Sequence, residues 1–410
     1  MLNDGERMLG GLLRSSHTAT LEDVVPLVAE HAAFVGFSNT QIYVVDLRDQ
    51  HLVPLPGQAD VEGEPLTRLR IDSTIAGRAY RDVEIVKVRP EEAGERVSGP
   101  DAVRLWVPLL DGTERVGVLG AITQRVDETV EWRMKQLGTV ISLMVVSKRH
   151  SSDTYQKLVR SEPMTLSAEV LWNLMPNGSF ANDKVVLSGA VEPAYQVGGD
   201  AFDYGITGDM LHLSIFDAMG HDLSAGLTAS IAVGACRNNR LQGADLLKTS
   251  EAIDEAIAEQ FAQTRFATGI LANLDMSTGE LTWVNRGHHP PLVIRQGRLA
   301  ATLESELPQP PMGFRMGLET GLLHYRLERG DRLLFYTDGI IEAKSPDGEQ
   351  FGLDRFLDFI VRREADGVSA PETLRRLIHS IMKHQHGRLQ DDATVLTVEW
   401  RAGGHVDLTM

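Results

Sequence analysis

The stretch VVLSGAVEPAYQVGGDAFDYGITGDMLHLSIFDAMGHDLSAGL, residues 185–227, decides the fold of the C-terminal half. Apolar and β-branched runs at 185–194, 195–207 and 209–218 predict three neighbouring strands, with Thr207-Gly208-Asp209 as a tight turn. Ser224 to Asn239 is small and apolar on nearly every face, which predicts a helix buried between layers. Two acidic motifs, VGGDAFD (197–203) and FDAMGHD (216–222), stand where these strands run into turns.

The same texture continues toward the C-terminus. A helix is expected over about 244–261, then a hairpin FATGILANLDMSTGELTWVNRG (266–287) turning at Ser277-Thr278-Gly279. HYRLERGDRLLFYTDGI (324–340) reads as a second hairpin across Arg329-Gly330-Asp331. Helices over about 353–364 and 371–386 precede a last strand, ATVLTVEW (393–400). Strand pairs with helices grouped between them predict two sheets flanked by helices, an αββα sandwich over residues 177–402.

Upstream the pattern is different. TATLEDVVPLVAEHAAFV (18–35) has helical periodicity, and short β-like runs follow at 41–47, 51–55, 84–88, 103–110 and 116–122, with a small helix at STIAGRAYR (73–81). Residues 15–125 therefore form one α+β domain of sensor size. Between the halves, residues 126–176 read as a helical connector. Val130, Met134, Leu137, Ile141, Met144 and Val145 recur at three- and four-residue steps along it. That stripe has two readings, a homodimer contact or a face packed on the first domain's own sheet.

Composition narrows the function classes. The 410 residues are too many for one core, and 42% apolar with 24% charged side chains is globular composition. Forty basic against 57 acidic residues give a net charge of −17, which disfavours nucleic acid and anionic membranes as partners. Cys236 is the only cysteine, so no internal disulfide and no thiolate cluster can form. It lies in an apolar run and reads as a small buried residue. MLNDGER does not open a signal peptide, and no run of eighteen apolar residues offers a membrane span. The expectation is a cytoplasmic protein.

Four acidic motifs carry the chemistry: the two above, FYTDGIIE (335–342) and QDDATV (390–395). Taken singly, such Asp-Gly pairs mark turns more often than sites. Taken together, clustered carboxylates repel, and a protein that gathers them neutralises them with a cation. Oxygen donors without cysteine or paired histidines favour Mn²⁺ or Mg²⁺, and two such ions can activate water for attack on a phosphate. His379, His384 and His386 read as surface residues rather than a zinc site.

The ordered series VGGDAFD, FDAMGHDLSAGL, NRGHHPPLVI, LFYTDGIIEAKSPDGEQFG and QDDATVL resembles the SpoIIE/RsbU-type branch of the metal-dependent protein phosphatases, related to protein phosphatase 2C. The resemblance implies a phosphoserine/phosphothreonine protein phosphatase with two Mn²⁺ or Mg²⁺ ions, acting on a STAS-domain anti-anti-sigma factor. It implies metal and catalytic roles for Asp200, Asp217, Asp338 and Asp391, and a metal-binding carbonyl at Ala218. Asp203 and Asp392 stand beside these with roles left open. His221 is either a proton donor or part of the turn, and Asn285, Gly287 and His288 read as a structural turn. Asp222 departs from the usual glycine and adds charge beside the site. No arginine stands at 195–199 to bind phosphate. IAGRAY and VPLLDGTERVGVLGAI in the first half resemble a GAF domain, which implies a small-molecule ligand of unstated identity and a regulatory role. The competing reading is a non-catalytic scaffold with a degenerate phosphatase fold.

Overall fold

The computed structural model describes residues 3–90, 101–305, 309–317, 321–386, 389 and 391–401. It divides into two compact units, one closing at Glu162 and the other opening at Pro163.

The first unit holds α1 (Asp4–Ser16), α2 (Val24–Ala32), β1 (Ser38–Val45), β2 (His51–Pro54), β3 (Leu69–Arg70), α3 (Ile75–Asp82), β4 (Val86–Val88), β5 (Val103–Asp111), β6 (Glu114–Thr123), α4 (Glu128–Arg149) and α5 (Asp153–Val159). Its strands form one antiparallel sheet in the order β3-β2-β1-β6-β5-β4. Strand alternation sorts the side chains between its faces. Ile42, Val44, Leu105 and Val107 meet α1, α2 and α4, whereas Tyr43, Trp106 and Val118 meet α3.

The stripe on α4 is consumed here. Met134, Leu137, Ile141 and Val145 are fully buried in the same cluster as Leu105 and Val107. Of the two readings of that stripe, packing on the unit's own sheet is the one the structure realises. The stretch 126–176 is accordingly divided, α4 and α5 lying in the first unit and the next helix in the second. Helix α1 lies outside the sequence expectations, and its capping box is Asn3 and Glu6, each side chain bonding the other's backbone N–H.

The second unit contains α6 (Leu166–Leu174), β7 (Ser179–Ala181), β8 (Val185–Glu192), β9 (Asp200–Thr207), β10 (Met210–Ala218), α7 (Leu223–Leu241), α8 (Leu246–Phe261), β11 (Ala267–Asp275), β12 (Glu280–Arg286), β13 (Leu292–Arg295), β14 (Arg298–Thr302), β15 (Leu323–Arg326), β16 (Arg332–Tyr336), α9 (Asp338–Ile341), α10 (Leu353–Ala365), α11 (Ala370–His384) and β17 (Ala393–Trp400). Its strands make a five-stranded sheet, β15-β12-β11-β10-β9, and a six-stranded one, β14-β13-β16-β17-β8-β7. In the second sheet Val293, Leu333, Phe335, Leu396 and Val398 join the core that also holds Leu213, Ile215 and Ile270 of the first. Their neighbours Leu292, Ile294, Leu334, Tyr336 and Val395 point the other way, into α10 and α11. Both faces of that sheet are thus covered, which explains its nearly continuous apolar strands.

Three sequence expectations fail, the first two for one reason. The strands at 185–194 and 195–207 are not neighbours, because β8 belongs to the six-stranded sheet and β9 to the five-stranded one. The stretch 324–340 is not a hairpin either. Here β15 pairs with β12 while β16 pairs with β13 and β17, so the chain crosses between sheets at Leu327–Asp331. Leu327 anchors that crossing, 2% exposed and donating its N–H to the Gly279 carbonyl. Finally, α7 is not buried all round. Ala225, Ala229, Ala232 and Val233 face the core, but Leu223 and Leu227 are 44% exposed. Local pattern reports burial and not which of two sheets supplies it.

Candidate metal and phosphate site

The site sits where strand ends of both sheets come together. Asp200 opens β9 and Asp217 nearly closes β10, and the antiparallel register sets them directly opposite each other. From the six-stranded sheet, Asp338 follows β16 as the first residue of α9, and Asp391 and Asp392 immediately precede β17.

Hydrogen bonds lock this assembly across the two sheets. Thr337 Oγ1 donates to Asp200 Oδ2 at 2.7 Å and accepts the Thr394 N–H at 2.9 Å. Asp392 Oδ2 accepts backbone N–H groups from Gly198, Gly199 and Asp200 at 2.8, 2.6 and 3.2 Å. A single carboxylate oxygen thereby holds the whole loop that presents Asp200, although burial pushes the Asp392 carboxyl above the ordinary range. Asp392 is thus the loop's anchor. Sequence order alone could not tell it from Asp391, which is exposed.

Two glycines are required by contact. A Cβ on Gly199 would stand 2.4 Å from the Ala218 carbonyl oxygen, and one on Gly339 would stand 1.8 Å from the Asp392 carbonyl oxygen. Neither place admits a side chain. The first contact also fixes Ala218, whose N–H donates to the Gly199 carbonyl at 3.1 Å.

The electrostatics are uphill. Burial and the neighbouring Asp217 and Asp392 charges push the Asp200 carboxyl well above the ordinary range. Asp217 is raised to about 7 by burial and by Asp338, Asp391 and Asp392. Asp338 is raised by burial, then by Asp391 and Glu342. Desolvation and like charges act in the same direction at all three, the signature of carboxylates assembled for a counter-ion.

Several residues resolve differently. Asp203 is fully buried but faces α7, where Arg237 and Arg240 bind its two oxygens at 2.5 and 2.9 Å. It fastens the helix and stands apart from the carboxylate group. Asp222 caps α7 through the Ala225 N–H, and Arg265 pairs with it at 3.1 Å, so its extra charge is matched. His288 is buried, its pKa pushed down to about 3 by desolvation and by His289, and bonded to Thr268 and the Tyr336 carbonyl. Asn285 bonds both the N–H and the carbonyl of His288, as a structural turn requires. His221 is exposed on the loop before α7. His379 and His384 bond Arg375 and the Glu349 carbonyl respectively, away from any cluster.

Among the described residues, no three His, Cys, Asp or Glu side chains converge as a ready-made metal cage. The donor set still suits a hard divalent ion, which keeps several waters and needs only one or two carboxylates.

The profile of the Stage II sporulation protein E (SpoIIE) family matches residues 207–401. This region is a SpoIIE-type domain. The SpoIIE-type match takes in Asp217, Asp338 and Asp391, while Asp200 lies just ahead of it. Phosphoserine phosphatase RsbU of Bacillus subtilis is 21% identical over 248 residues, 59% of this chain and 71% of the relative. Phosphoserine phosphatase RsbP of the same organism is 25% identical over 168 residues, 40% of this chain and 41% of the relative. The chain therefore spans less than half of RsbP. Among solved structures, the SiaA-PP2C domain of Pseudomonas aeruginosa shares 19% identity at a TM-score of 0.45, covering 52% of this chain and 85% of that one. Among the described residues no helix is long and apolar enough to cross a membrane.

Proposed function

We propose that the second unit is a metal-dependent phosphoserine/phosphothreonine protein phosphatase built as an αββα sandwich. The observation that carries this reading is the facing pair Asp200 and Asp217, joined by Asp338 and Asp391 from the other sheet, with carboxyls pushed upward by mutual repulsion. Such a cluster costs the fold stability when its carboxylates are ionised, and bound cations relieve that cost. Asp200, Asp217, Asp338 and Asp391 with the Ala218 carbonyl would hold two Mn²⁺ or Mg²⁺ ions. Bound there, the ions supply an acidified water and a positive support for the phosphate.

The chain's own residues contribute positioning. Asp392 tethers the Gly198–Asp200 loop, and Thr337 orients one oxygen of Asp200 while tying it to β17. Among the described residues, the side chains that bond the Asp200 carboxylate are threonines, not arginine or histidine.

Two finer readings rest on relatives and on pattern. RsbU and RsbP bear the name phosphoserine phosphatase, which supports a phosphoserine substrate; a STAS-domain anti-anti-sigma protein is the substrate that the motif resemblance implies. The six-stranded antiparallel sheet with α3 on one face and α1, α2 and α4 on the other supports a GAF-like sensor that regulates the enzyme through an unidentified ligand. The lone buried Cys236 suits the reducing cytoplasm. Phosphate release from a phosphoserine protein, with Mn²⁺ or Mg²⁺ added and then chelated, tests the central reading. Full turnover in chelator would overturn it.

A further inference from the structure

The turn between β10 and α7, residues 219–222, leads from the Ala218 carbonyl into a helix. On one side it is pressed against the loop that presents Asp200. A Cβ on Gly198 would stand 2.5 Å from the His221 Cα, and one on Gly199 would stand 2.8 Å from the Gly220 carbonyl oxygen. On the other side it is held by two consecutive residues that precede β11. The Met219 N–H donates to the Phe266 carbonyl at 3.1 Å. Arg265 donates through one guanidinium nitrogen to the Met219 carbonyl at 3.2 Å, and through another to Asp222 Oδ2 at 3.1 Å. Asp222 Oδ1 meanwhile accepts the Ala225 N–H at 2.9 Å, so the same carboxylate caps α7. Arg265 therefore spans the turn from its first residue to its last.

Peptide geometry links this clasp to the site. In a trans peptide the C=O and N–H point in opposite directions. With the Met219 N–H turned toward Phe266, the Ala218 carbonyl is turned the other way, toward Gly199. We infer that Arg265 is a positioning residue for the metal centre, its forked guanidinium holding the 219–222 turn so that the Ala218 carbonyl stays directed at the Asp200-bearing loop. The inference rests on the phosphatase reading, which gives that carbonyl a metal to bind. The clasp itself is backed firmly, since a Cβ on Gly313 would stand 2.4 Å from the Arg265 carbonyl oxygen and the Phe266 ring lies 5.1 Å from Phe314. As an ion pair it adds little to stability, because the Asp222 side chain is 56% exposed. Its value lies in the fork, which a lysine ammonium, a point charge on a flexible stem, does not reproduce.

Calorimetric titration of the full chain with Mn²⁺ separates this role from simple charge. Arg265→Ala removes a positive charge near a cation site, which by Coulomb's law alone tightens Mn²⁺ binding. Positioning demands the opposite, a Kd weakened about tenfold, as when a group that orients a metal ligand is lost. Arg265→Lys keeps the charge without the fork and should weaken binding nearly as far. Asp222→Asn keeps an oxygen for the Ala225 N–H, and added to Arg265→Ala it should weaken binding no further, because Asp222 acts through Arg265. In chelator every variant should melt within about 4 °C of wild type. Unchanged or tighter binding by Arg265→Ala, a lysine variant equal to wild type, or an additive double variant overturns the inference. So does a larger fall in the chelator melt, which would make Arg265 a residue of general stability. A wild type that binds no Mn²⁺ would instead remove the metal centre itself, and the positioning role with it.

Discussion

Replacing Asp217 with asparagine separates the site's cost to the fold from its contribution to chemistry. The Asp217 carboxyl titrates at about 7 in the folded protein against an ordinary 3.8, chiefly through burial and then through Asp338, Asp391 and Asp392. Below pH 4 both folded and unfolded chains hold the proton, and the group costs nothing. Between pH 4 and 7 the unfolded chain releases it first, so stability falls as pH rises, and above pH 7 the loss is complete. Three units at about 1.4 kcal/mol each set a ceiling of ~4 kcal/mol. Residual solvent screening and the sharing of one repulsion among several carboxylates bring this to roughly 2 kcal/mol. For a unit of this size that is a melting shift of about 4–8 °C. In chelator at pH 8, Asp217→Asn should therefore melt higher than wild type by several degrees, and its melting temperature should vary less between pH 5 and 8. With saturating Mn²⁺ the order should reverse, since the variant has lost a ligand, and phosphate release should fall below a tenth of wild type. Melting in chelator and in Mn²⁺, together with initial rates on a phosphoserine protein, completes the assay. A variant that melts lower than wild type in chelator, or keeps more than a tenth of the rate, would refute the reasoning.

Asp203→Ala strands Arg237 and Arg240 on α7 and should cost about 2–4 kcal/mol in denaturant unfolding, while the Mn²⁺ concentration for half-maximal rate stays unchanged. A shift in that concentration would make Asp203 part of the metal site. Gly339→Ala forces a methyl into the Asp392 carbonyl and should abolish turnover, and a variant as active as wild type would show that the contact can relax. Asp347→Asn alters an exposed turn and should leave the rate within a factor of about two. Cys236 is buried, with its thiol pushed up to about 11, so alkylating reagents at pH 7 should leave the native enzyme active; complete inactivation would contradict that burial.

The sequence by itself determined the elements and the identity of the acidic motifs. Strand β17 stands at its predicted limits and the α4 stripe lies on one helix, because period-2 and period-3.6 patterns are local properties. The motif order likewise pointed to Asp200, Asp217, Asp338 and Asp391. What only the tertiary structure decided were the partners. Asp203 and Asp392 stand in similar motifs. One is turned by its strand toward two arginines, and the other accepts three N–H groups from a loop almost two hundred residues earlier in the chain. The stripe on α4 looked unpartnered until β5 closed over it, and the segment 324–340 looked like a hairpin until its halves joined different sheets. Periodicity records that a face is buried, but the choice of what buries it is made by packing between segments distant in sequence.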